Sequence, residues 1–281
     1  MDAPLLHVPQ SNIEESVHMA IHEDVGTGDL TAQLIPEDEI TIATVISRED
    51  CILCGMDWFE EVFRQIDDEI LIEWNFEDGD ALEKDQPICS LSGSARSILT
   101  GERTALNFLQ TLSATATISS EYASAVVGTG SVVLDTRKTI PGLRMAQKYA
   151  VSCGGCQNHR IGLYDAILIK ENHILACGSI EQAIEEARFH NPEMPIEVEV
   201  ESIDELNQAL AASADRVLLD NFSNEQLLEA VKICDKKIPL EASGNVTLET
   251  IRDIALTGVD FISTGALTKD IKAIDLSLRF S

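Results

Sequence analysis

Residues 195–235 read PIEVEVESIDELNQALAASADRVLLDNFSNEQLLEAVKICD and contain the same pattern twice. In each copy, a short apolar run is followed by a stretch whose apolar residues recur with the spacing of an amphipathic helix. The helical stretches open on Ser202 and Ser223 and carry acidic residues in the first turn, which is the signature of a capped helix start. The segment therefore predicts two strands, at 195–200 and 215–220, with a helix after each.

The pattern continues in both directions along the chain. Further apolar runs lie at 131–136, 165–170, 239–243 and 260–265, and further helical stretches lie at 179–189 and 247–258. Strands that alternate with helices pair in parallel, because each right-handed crossover returns the chain to the same end of the sheet. From residue 131 onward, the chain is therefore predicted to form an α/β barrel or a doubly wound sheet.

Residues 1–115 follow other periodicities. Alternation at 41–50 and 70–82 predicts antiparallel strands, and the spacing at 57–66 and 102–126 predicts helices. The turn EDGD at 77–80 predicts a hairpin. We therefore expect an α+β domain in front of the barrel, with the long helix as the bridge between the two.

A basic cluster contrasts with the composition of the chain. The chain has 20 Lys and Arg against 48 Asp and Glu, a formal net charge of -28. Within 135–170, however, lie Arg137, Lys138, Arg144, Lys148, Arg160 and Lys170, with His159 beside them. The contrast predicts a site that holds a strongly anionic ligand by charge-assisted hydrogen bonds. A solvated face stays an alternative, since Arg144 and Lys148 have the spacing of one helix face.

Charged and small residues follow the predicted strands at their C-terminal ends. They are Arg137 with Lys138, Lys170, Glu199, Asp220, Ser243 with Gly244, and Gly265. Parallel strands of a barrel point these ends at one mouth, so the residues should converge there. Cations hold carboxylates and phosphates, carboxylates hold ribose hydroxyls or Mg²⁺, and a glycine turn before a helix offers N–H groups to a phosphate.

Each of these features also has a structural alternative. Glu199 or its neighbour Glu197 could be a surface carboxylate on an edge strand. Asp220 could cap the following helix, and His159 could be a structural histidine. The turns at 243–245 and 263–266 could be ordinary strand-to-helix connections. What favours a site is that these residue types occur together at equivalent places in successive units.

Composition and charge exclude several classes of protein. A hydrophobic fraction of 44% indicates a globular chain, and the acidic balance argues against nucleic acid or an anionic membrane as partner. The first twenty residues lack the basic start and apolar stretch of a signal peptide, and no apolar run approaches the roughly 20 residues of a membrane span. We therefore expect a cytoplasmic protein that does not enter a membrane.

The seven cysteines fit reduced thiols better than a disulfide framework, because their number is odd. Cys51 with Cys54 and Cys153 with Cys156 have the C-x-x-C spacing of zinc ligands. The two pairs lie far further apart than the roughly 15–20 residues of a zinc ribbon. A zinc site in a scaffold protein stays an alternative to cysteines that pack as small hydrophobes.

Eight motifs along the chain match one enzyme family nearly end to end. They are EDVGTGDLT at 23–31, GERTALNFLQTLSATAT at 101–117, DTRKTIPGLR at 135–144, GGCQNHRIGLYDAILIKENHI at 154–174, EVEVES at 197–202, LLDNF at 218–222, EASGNV at 241–246 and TGALT at 264–268. The chain thereby resembles the quinolinate phosphoribosyltransferases, also called carboxylating nicotinate-nucleotide pyrophosphorylases. The motifs at 135–144 and 154–174 are the most specific. One departure is Cys156, where the family usually has a glycine.

The resemblance implies a fold and an assembly. An N-terminal α+β open sandwich at 1–115, joined by the C-terminal tail 271–281, would precede an incomplete α/β barrel of fewer than eight strands at 116–270. The resemblance also implies an obligate homodimer, in which the N-terminal domain of one subunit covers the barrel mouth of the other. Arg103 would then enter the partner's site. Assembly of the dimers into a hexamer stays open.

The resemblance further implies the roles of individual residues. Those implied for quinolinate are Arg137, His159, Arg160, Lys170 and Arg103 of the partner, with Lys138 on quinolinate or pyrophosphate and Thr136 in the same substrate-binding set. Glu199 and Asp220 would hold the ribose hydroxyls of phosphoribosyl pyrophosphate and Mg²⁺, the ion indirectly through substrate and water. Its phosphate would lie on Ser243, Gly244, Asn245, Gly265, Ala266 and Leu267. The residues implied for catalysis are Lys138, Lys170, Glu199 and Asp220.

The implied activity is that of a pentosyltransferase, a glycosyltransferase of de novo NAD biosynthesis. It converts quinolinate and phosphoribosyl pyrophosphate to nicotinate mononucleotide, CO₂ and pyrophosphate, and we expect no dedicated catalytic base. One alternative is a paralogous phosphoribosyltransferase for another aromatic acid such as nicotinate, although two ring carboxylates explain four or five cations better than one. Another is a non-catalytic sensor of phosphoribosyl pyrophosphate.

Overall fold

The computed structural model of the chain describes residues 5–280. Its helices are α1 (Gln10–Val25), α2 (Met56–Ile66), α3 (Ala95–Ala125), α4 (Arg144–Cys153), α5 (Glu171–Cys177), α6 (Ile180–His190), α7 (Ile203–Ala211), α8 (Asn224–Cys234), α9 (Ile251–Ala255) and α10 (Ala266–Lys269). Its strands are β1 (Ile40–Ser47), β2 (Cys51–Ile52), β3 (Leu71–Trp74), β4 (Ala81–Leu82), β5 (Pro87–Ser94), β6 (Val132–Leu134), β7 (Ile167–Ile169), β8 (Ile196–Val200), β9 (Arg216–Asp220), β10 (Leu240–Ser243), β11 (Phe261–Ser263) and β12 (Leu276–Phe280). Within these residues, no helix combines the length and the apolar character needed to cross a bilayer.

The described residues form two compact units. The first contains residues 5–120, 139–155 and 270–280, and the second contains residues 121–138 and 156–269. The boundary falls within α3, whose last residues, from 121 to 125, belong to the second unit.

The first unit contains an antiparallel sheet in the order β12-β1-β5-β3. Alternate residues of β1, such as Ala43 and Val45, are fully buried, whereas Ile42 is exposed. Trp58, Phe59 and Phe63 of α2 are buried in the same apolar core. The expected α+β unit is confirmed, because half-buried alternation and an amphipathic helix meet in one core.

The turn at 77–80 does not form the predicted hairpin. β3 pairs with β5 and β4 pairs with β2, so the strands on either side of the turn lie in different sheets. The acidic turn instead stabilises the start of α2. There, Oδ1 of Asp78 accepts hydrogen bonds from the amides of Gly55 (2.9 Å) and Met56 (3.3 Å). The hairpin prediction was wrong because a local turn signal does not specify which strand pairs with which.

The second unit is a parallel sheet of six strands in the order β6-β11-β10-β9-β8-β7. Each strand lies within the run predicted for it, and the incomplete α/β barrel is confirmed. The predicted caps are also present. The hydroxyl oxygens of Ser179, Ser202 and Ser223 accept hydrogen bonds from backbone amides in the first turns of α6, α7 and α8.

Residues 139–155 belong to the first unit, although they lie between β6 and β7 in the chain. Ala146 and Ala150 of α4 are buried in the core of that unit. α4 also ends close to α3, since a Cβ on Gly154 would collide with the carbonyl oxygen of Ala116. Chain order placed this segment in the barrel, but its contacts group it with the antiparallel sheet.

Candidate active site

Alternate residues of the parallel strands face one cavity of about 320 Å³. Successive side chains of a strand point to opposite faces, so β8 presents Glu199 to the cavity while Val198 and Val200 pack in the core. On the neighbouring strands, Asp220 of β9 and Ser243 of β10 occupy the equivalent last positions. The cavity therefore lies at the C-terminal ends of the strands.

Most of the residues expected at the site line this cavity. They are Thr136, Arg137, Lys138, His159, Arg160, Lys170, Glu199, Asp220 and Ser243. All of them belong to the second unit. Four cations and three carboxylates, Glu199, Asp220 and Glu241, thus line one small space, and its composition suits an anion together with a polyhydroxyl group.

The cations and carboxylates interact with one another. Nζ of Lys170 forms an ion pair with Glu199. The pKa of Asp220 is raised, first by burial and then by the charge of Glu199. The pKa of Arg160 is lowered, first by burial and then by the charge of Arg137. Like charges are therefore held close together, which an anion between the arginines and a cation near the carboxylates would relieve.

Two glycine turns lie near the ends of β10 and β11. Gly244 has φ of 97°, and a Cβ there would collide with Oδ1 of Asn221 and lie 3.0 Å from its amide nitrogen. Nδ2 of Asn245 donates to the same Oδ1 at 3.2 Å. At Gly265 a Cβ would lie 2.9 Å from Cδ of Lys138, so this turn approaches a cavity lysine closely.

The other two residues predicted at the second turn, Ala266 and Leu267, have local roles. The amide of Ala266 donates to the Thr264 hydroxyl at 3.2 Å, and the Leu267 side chain is fully buried. A ligand at this turn would therefore meet its backbone rather than the Leu267 side chain.

His159 is held from its backbone and from both ring nitrogens. The fully buried Asp135 accepts from the His159 amide at 2.9 Å. Nε2 lies 2.9 Å from Oε2 of Glu197, and Nδ1 accepts from the amide of Arg160 at 2.7 Å. Burial lowers the pKa of His159, but the hydrogen bond to Glu197 and the charge of Glu241 outweigh that effect and raise it overall.

The sequence reasoning missed Glu241, and for Glu197 it offered only the alternative of a surface carboxylate. Glu197 is 7% exposed and Glu241 is fully buried. The alternative that Glu199 or Glu197 is a surface carboxylate on an edge strand does not hold, because β8 lies between β7 and β9. The alternation with Glu199 was the available signal, since residues 197 and 199 share one face of the strand. Burial raises the pKa of Glu241, and the charge of Glu197 raises it further.

Other structural alternatives are also settled by the fold. Asp220 does not cap the next helix, because Ser223 occupies that position. Lys148 is fully buried in α4, so the basic pair of that helix is not an exposed face. Arg144 and Lys148 belong to the first unit. Arg103 lies in α3 of the first unit with a side chain 59% exposed, 3.8 Å from Oε1 of Glu102.

The cysteine pairs do not assemble a metal site among the described residues. All seven cysteines are free thiols. Cys51, Cys54 and Cys153 belong to the first unit and Cys156 to the second. In residues 5–280, the group of His, Cys, Asp and Glu side chains close enough to share an ion consists of His159, Glu197 and Glu241. The zinc scaffold therefore has no support.

Comparison with known proteins places both halves of the chain in one family. The model of the N-terminal domain of quinolinate phosphoribosyl transferase matches residues 29–113, and the model of its C-terminal domain matches residues 115–279. The probable carboxylating nicotinate-nucleotide pyrophosphorylase of Bacillus subtilis is 42% identical over 257 residues, which cover 91% of this chain and 89% of that protein. The enzyme of that name from Mycobacterium leprae is 40% identical over 273 residues, covering 94% and 95%.

A solved structure gives the same result. The nicotinate-nucleotide pyrophosphorylase from Francisella tularensis superposes with a TM-score of 0.95 at 51% identity and covers 98% of both chains. Similarity thus extends over both units.

Proposed function

The chain belongs to the quinolinate phosphoribosyltransferase family, and on that premise we propose that it is a pentosyltransferase of de novo NAD biosynthesis. It transfers the phosphoribosyl group of phosphoribosyl pyrophosphate to quinolinate and releases pyrophosphate and CO₂, which gives nicotinate mononucleotide. The observation that carries the proposal is the cavity at the strand ends, where four cations lie together with Glu199 and Asp220. Both substrates are polyanions, and the sugar between their charged groups presents hydroxyls to the carboxylates.

Arg137 and Arg160 are the proposed clamp for the two ring carboxylates. A guanidinium binds a carboxylate through two parallel hydrogen bonds, so two arginines fix both the position and the orientation of the ring. Burial and then the charge of Arg137 lower the pKa of Arg160, and a dianion between the two arginines offsets the repulsion between them. Holding the ring nitrogen against the anomeric carbon turns an encounter of two molecules into a step within one complex.

The reaction makes two bonds, from the ring nitrogen to the anomeric carbon and from C2 to hydrogen, and breaks two, the carbon–oxygen bond to pyrophosphate and the carbon–carbon bond to CO₂. The ring nitrogen bonds to the anomeric carbon as pyrophosphate leaves with the electron pair of the broken carbon–oxygen bond. Positive charge develops on the sugar, where Glu199 and Asp220 stabilise it, and negative charge develops on the leaving group, where Lys138 stabilises it. The ring nitrogen is then cationic, so the electron pair left at C2 when CO₂ departs is stabilised without a dedicated base, and C2 takes up a proton from solvent.

The glycine turns are the proposed site for the 5-phosphate of phosphoribosyl pyrophosphate. Ser243, Gly244 and Asn245 form the first turn, and Gly265, Ala266 and Leu267 form the second. Gly244 has the positive φ of a turn that side chains disfavour, and its lack of a Cβ lets Asn221 pack directly against the turn. Backbone N–H groups at such turns hold a phosphate without requiring a further cation.

We propose Mg²⁺ as the cofactor, held by Glu199 and Asp220 through substrate and water. These oxygen ligands suit a hard cation. Burial and then the charge of Glu199 raise the pKa of Asp220, and a divalent ion would offset the repulsion between the two carboxylates. When bound, the ion supplies charge neutralisation to the pyrophosphate group.

We further propose a cytoplasmic homodimer, in which Arg103 completes the quinolinate site of the partner subunit. The exposed guanidinium of Arg103, which lies in the family motif at 101–117, supports its role in the partner's site. The free state of the seven thiols supports the cytoplasmic location. Assembly of dimers into a hexamer stays open.

The test is a product assay with purified protein, Mg²⁺, phosphoribosyl pyrophosphate and quinolinate labelled at the 2-carboxylate. We expect labelled CO₂ and nicotinate mononucleotide in equal amounts. The Asp220→Asn variant, prepared in parallel, controls for a contaminating enzyme. Turnover of nicotinate in place of quinolinate would identify the paralogous activity, and ligand binding without product would identify the sensor.

A further inference from the structure

Two buried carboxylates, Glu197 and Glu241, form a charged layer on the N-terminal side of the strand-end positions, and Glu241 also lines the cavity itself. Glu197 and Glu241 lie two residues before the cavity positions Glu199 and Ser243 of their own strands, nearer the N-terminal ends. Both carboxylates approach the same atom of His159. Oε2 of Glu197 lies 2.9 Å from Nε2, and Oε1 of Glu241 lies 3.6 Å from it. His159 and Glu241 line the cavity, whereas Glu197 does not and approaches it through His159.

Arg216 fixes Glu241 from the opposite side. Its Nη1 lies 3.2 Å from Oε2 of Glu241, and its guanidinium stacks 4.2 Å from the centre of the Phe261 ring. Within residues 5–280, Oε1 of Glu197 and Oε1 of Glu241 are buried and accept no hydrogen bond. Burying two carboxylates in this way is costly, and a layer that retains them needs a role that apolar side chains would not supply.

The position of His159 is coupled to that of Arg160. The Arg160 amide donates to Nδ1, so the neutral ring carries its proton on Nε2 and donates it to Glu197. Arg160 lines the cavity, and its Nη1 donates to the carbonyl of Ala166 at 3.2 Å. If Glu197 no longer held it, the His159 imidazole would rotate about its side-chain bonds. Its Nδ1 would then no longer accept the hydrogen bond from the Arg160 amide.

We propose that Glu197 and Glu241 are positioning residues for the acid-binding pocket, acting through His159 to fix Arg160. The proposal rests on the proposed function, because the pocket is taken to bind quinolinate. A purely electrostatic role is separated from positioning by Glu197→Gln, which removes the negative charge as Glu197→Leu does but keeps an acceptor for the Nε2 proton. Only positioning predicts that Glu197→Gln recovers the affinity lost in Glu197→Leu.

The first test compares two substitutions at one position. Glu197→Leu removes the acceptor of the Nε2 proton, whereas Glu197→Gln keeps an acceptor oxygen at nearly the same place. We expect Glu197→Leu to raise the KM for quinolinate by about tenfold to a hundredfold, with little effect on the KM for phosphoribosyl pyrophosphate. Glu197→Gln should recover most of that loss. A KM for quinolinate that is unchanged or lowered in Glu197→Leu would overturn the proposal.

A matched control separates positioning from stability. Glu61 is another buried carboxylate paired with an arginine, since its Oε2 lies 2.7 Å from Nε of Arg64 in α2. Glu61→Leu should lower the melting temperature without raising the KM for quinolinate. If Glu61→Leu raises that KM as much as Glu197→Leu does, the effect is one of stability and the proposal fails.

A second measurement does not depend on turnover. In protein labelled with ¹⁵N-histidine, the Nε2 proton of His159, assigned with His159→Gln, should be protected from solvent exchange by Glu197. The signal should persist in Glu197→Gln and in Glu61→Leu and disappear in Glu197→Leu. Persistence in Glu197→Leu would overturn the proposal. If the wild type fails to turn over quinolinate, the proposed function fails, and this signal still decides whether Glu197 holds the ring.

The same three side chains could also hold a metal ion, because their ligand atoms lie within 4.8 Å of one another. Two features favour the hydrogen-bonded arrangement: the guanidinium of Arg216 already neutralises Glu241, and Nε2 carries the proton that Glu197 accepts. Elemental analysis of the purified protein tests whether these side chains hold a metal ion. A stoichiometric divalent metal in the wild type that is lost in Glu241→Gln would overturn the positioning role.

Discussion

Lys170 and Glu199 form an ion pair across the mouth of the barrel, from the C-terminal ends of the paired strands β7 and β8. The two side chains are proposed to hold different substrates, Lys170 the acid and Glu199 the sugar. The ion pair must therefore open before either substrate is fully bound. The substrate that binds first draws one side chain out of the ion pair and so frees the other side chain for the second substrate. The ion pair thereby couples the two binding steps.

The coupling predicts an unusual response to Glu199→Gln. Freed Lys170 should bind quinolinate more tightly in the absence of the second substrate, by up to about fivefold, because partly exposed ion pairs contribute up to about 1 kcal/mol. The turnover rate should nevertheless fall by about a hundredfold or more, since the developing charge on the sugar loses its carboxylate. Calorimetric titration with quinolinate and a steady-state assay measure the two effects.

The control for that experiment is Glu201→Gln, which removes an exposed carboxylate two residues further along the chain. It should change neither the affinity nor the rate. Weaker quinolinate binding in Glu199→Gln would show that the ion pair does not hold Lys170 back from the acid.

Arg137→Lys tests the clamp. A lysine keeps the positive charge but lacks the fork that binds a carboxylate through two hydrogen bonds. We expect the turnover of quinolinate to fall by about a hundredfold, with an unchanged melting temperature. Arg188→Lys is the matched control, because Arg188 forms an ion pair with Asp215 in the same unit at 2.9 Å and does not line the cavity. Near-normal turnover in Arg137→Lys would remove that residue from the clamp.

Gly244→Ala tests the proposed phosphate turn. The new Cβ would collide with Asn221 and would also occupy a backbone with φ of 97°. The KM for phosphoribosyl pyrophosphate should rise by about tenfold or more, whereas the affinity for quinolinate alone should change little.

Gly258→Ala is the control for backbone strain. Gly258 also has positive φ, 92°, but the nearest atom to a new Cβ is 3.5 Å away, on Val231. It should lose about 1 kcal/mol of stability and keep both kinetic constants. Equal kinetic effects in the two variants would mean that strain alone explains the result for Gly244.

The parts of the fold that could be predicted are those specified by local pattern. The strands at 196–200 and 216–220 follow from an apolar run before a capped helix, and Glu199 and Asp220 follow from their places at the strand ends. Glu241 could not be identified in this way. Its proposed role depends on contacts with His159 and Arg216, which come from distant parts of the chain. A single carboxylate within an apolar run does not indicate which residues it will contact.

Asp78→Asn should change how stability depends on pH. Burial raises the pKa of Asp78 to about 6, although hydrogen bonds from Gly55 and Met56 favour its charged form. The native state therefore binds a proton that the unfolded chain releases near its lower ordinary pKa, and the free energy of unfolding falls as pH rises through that window. The loss is about 3 kcal/mol at most, since the shift is about two units.

Urea denaturation of both proteins at about pH 4 and about pH 7 measures this effect. The variant should gain stability relative to the wild type as pH rises between the two values. Asp80→Asn, in the same turn but exposed, should follow the wild type. A constant difference between Asp78→Asn and the wild type would show that Asp78 does not titrate on unfolding.

Subunit mixing tests whether Arg103 acts on the partner's site. Arg103→Ala and Arg137→Ala should each lose most activity as homodimers. If Arg103 acts in trans, a heterodimer of the two variants, purified through two affinity tags, contains one site with both arginines and should recover about half the wild-type rate. The second heterodimer pairs a chain that carries both substitutions with a wild-type chain. If Arg103 acts in trans, the site with the wild-type Arg137 receives no Arg103 from its partner, and the other site lacks Arg137. Both sites are then impaired. If Arg103 instead acted within its own chain, the second heterodimer would be half active and the first would be inactive.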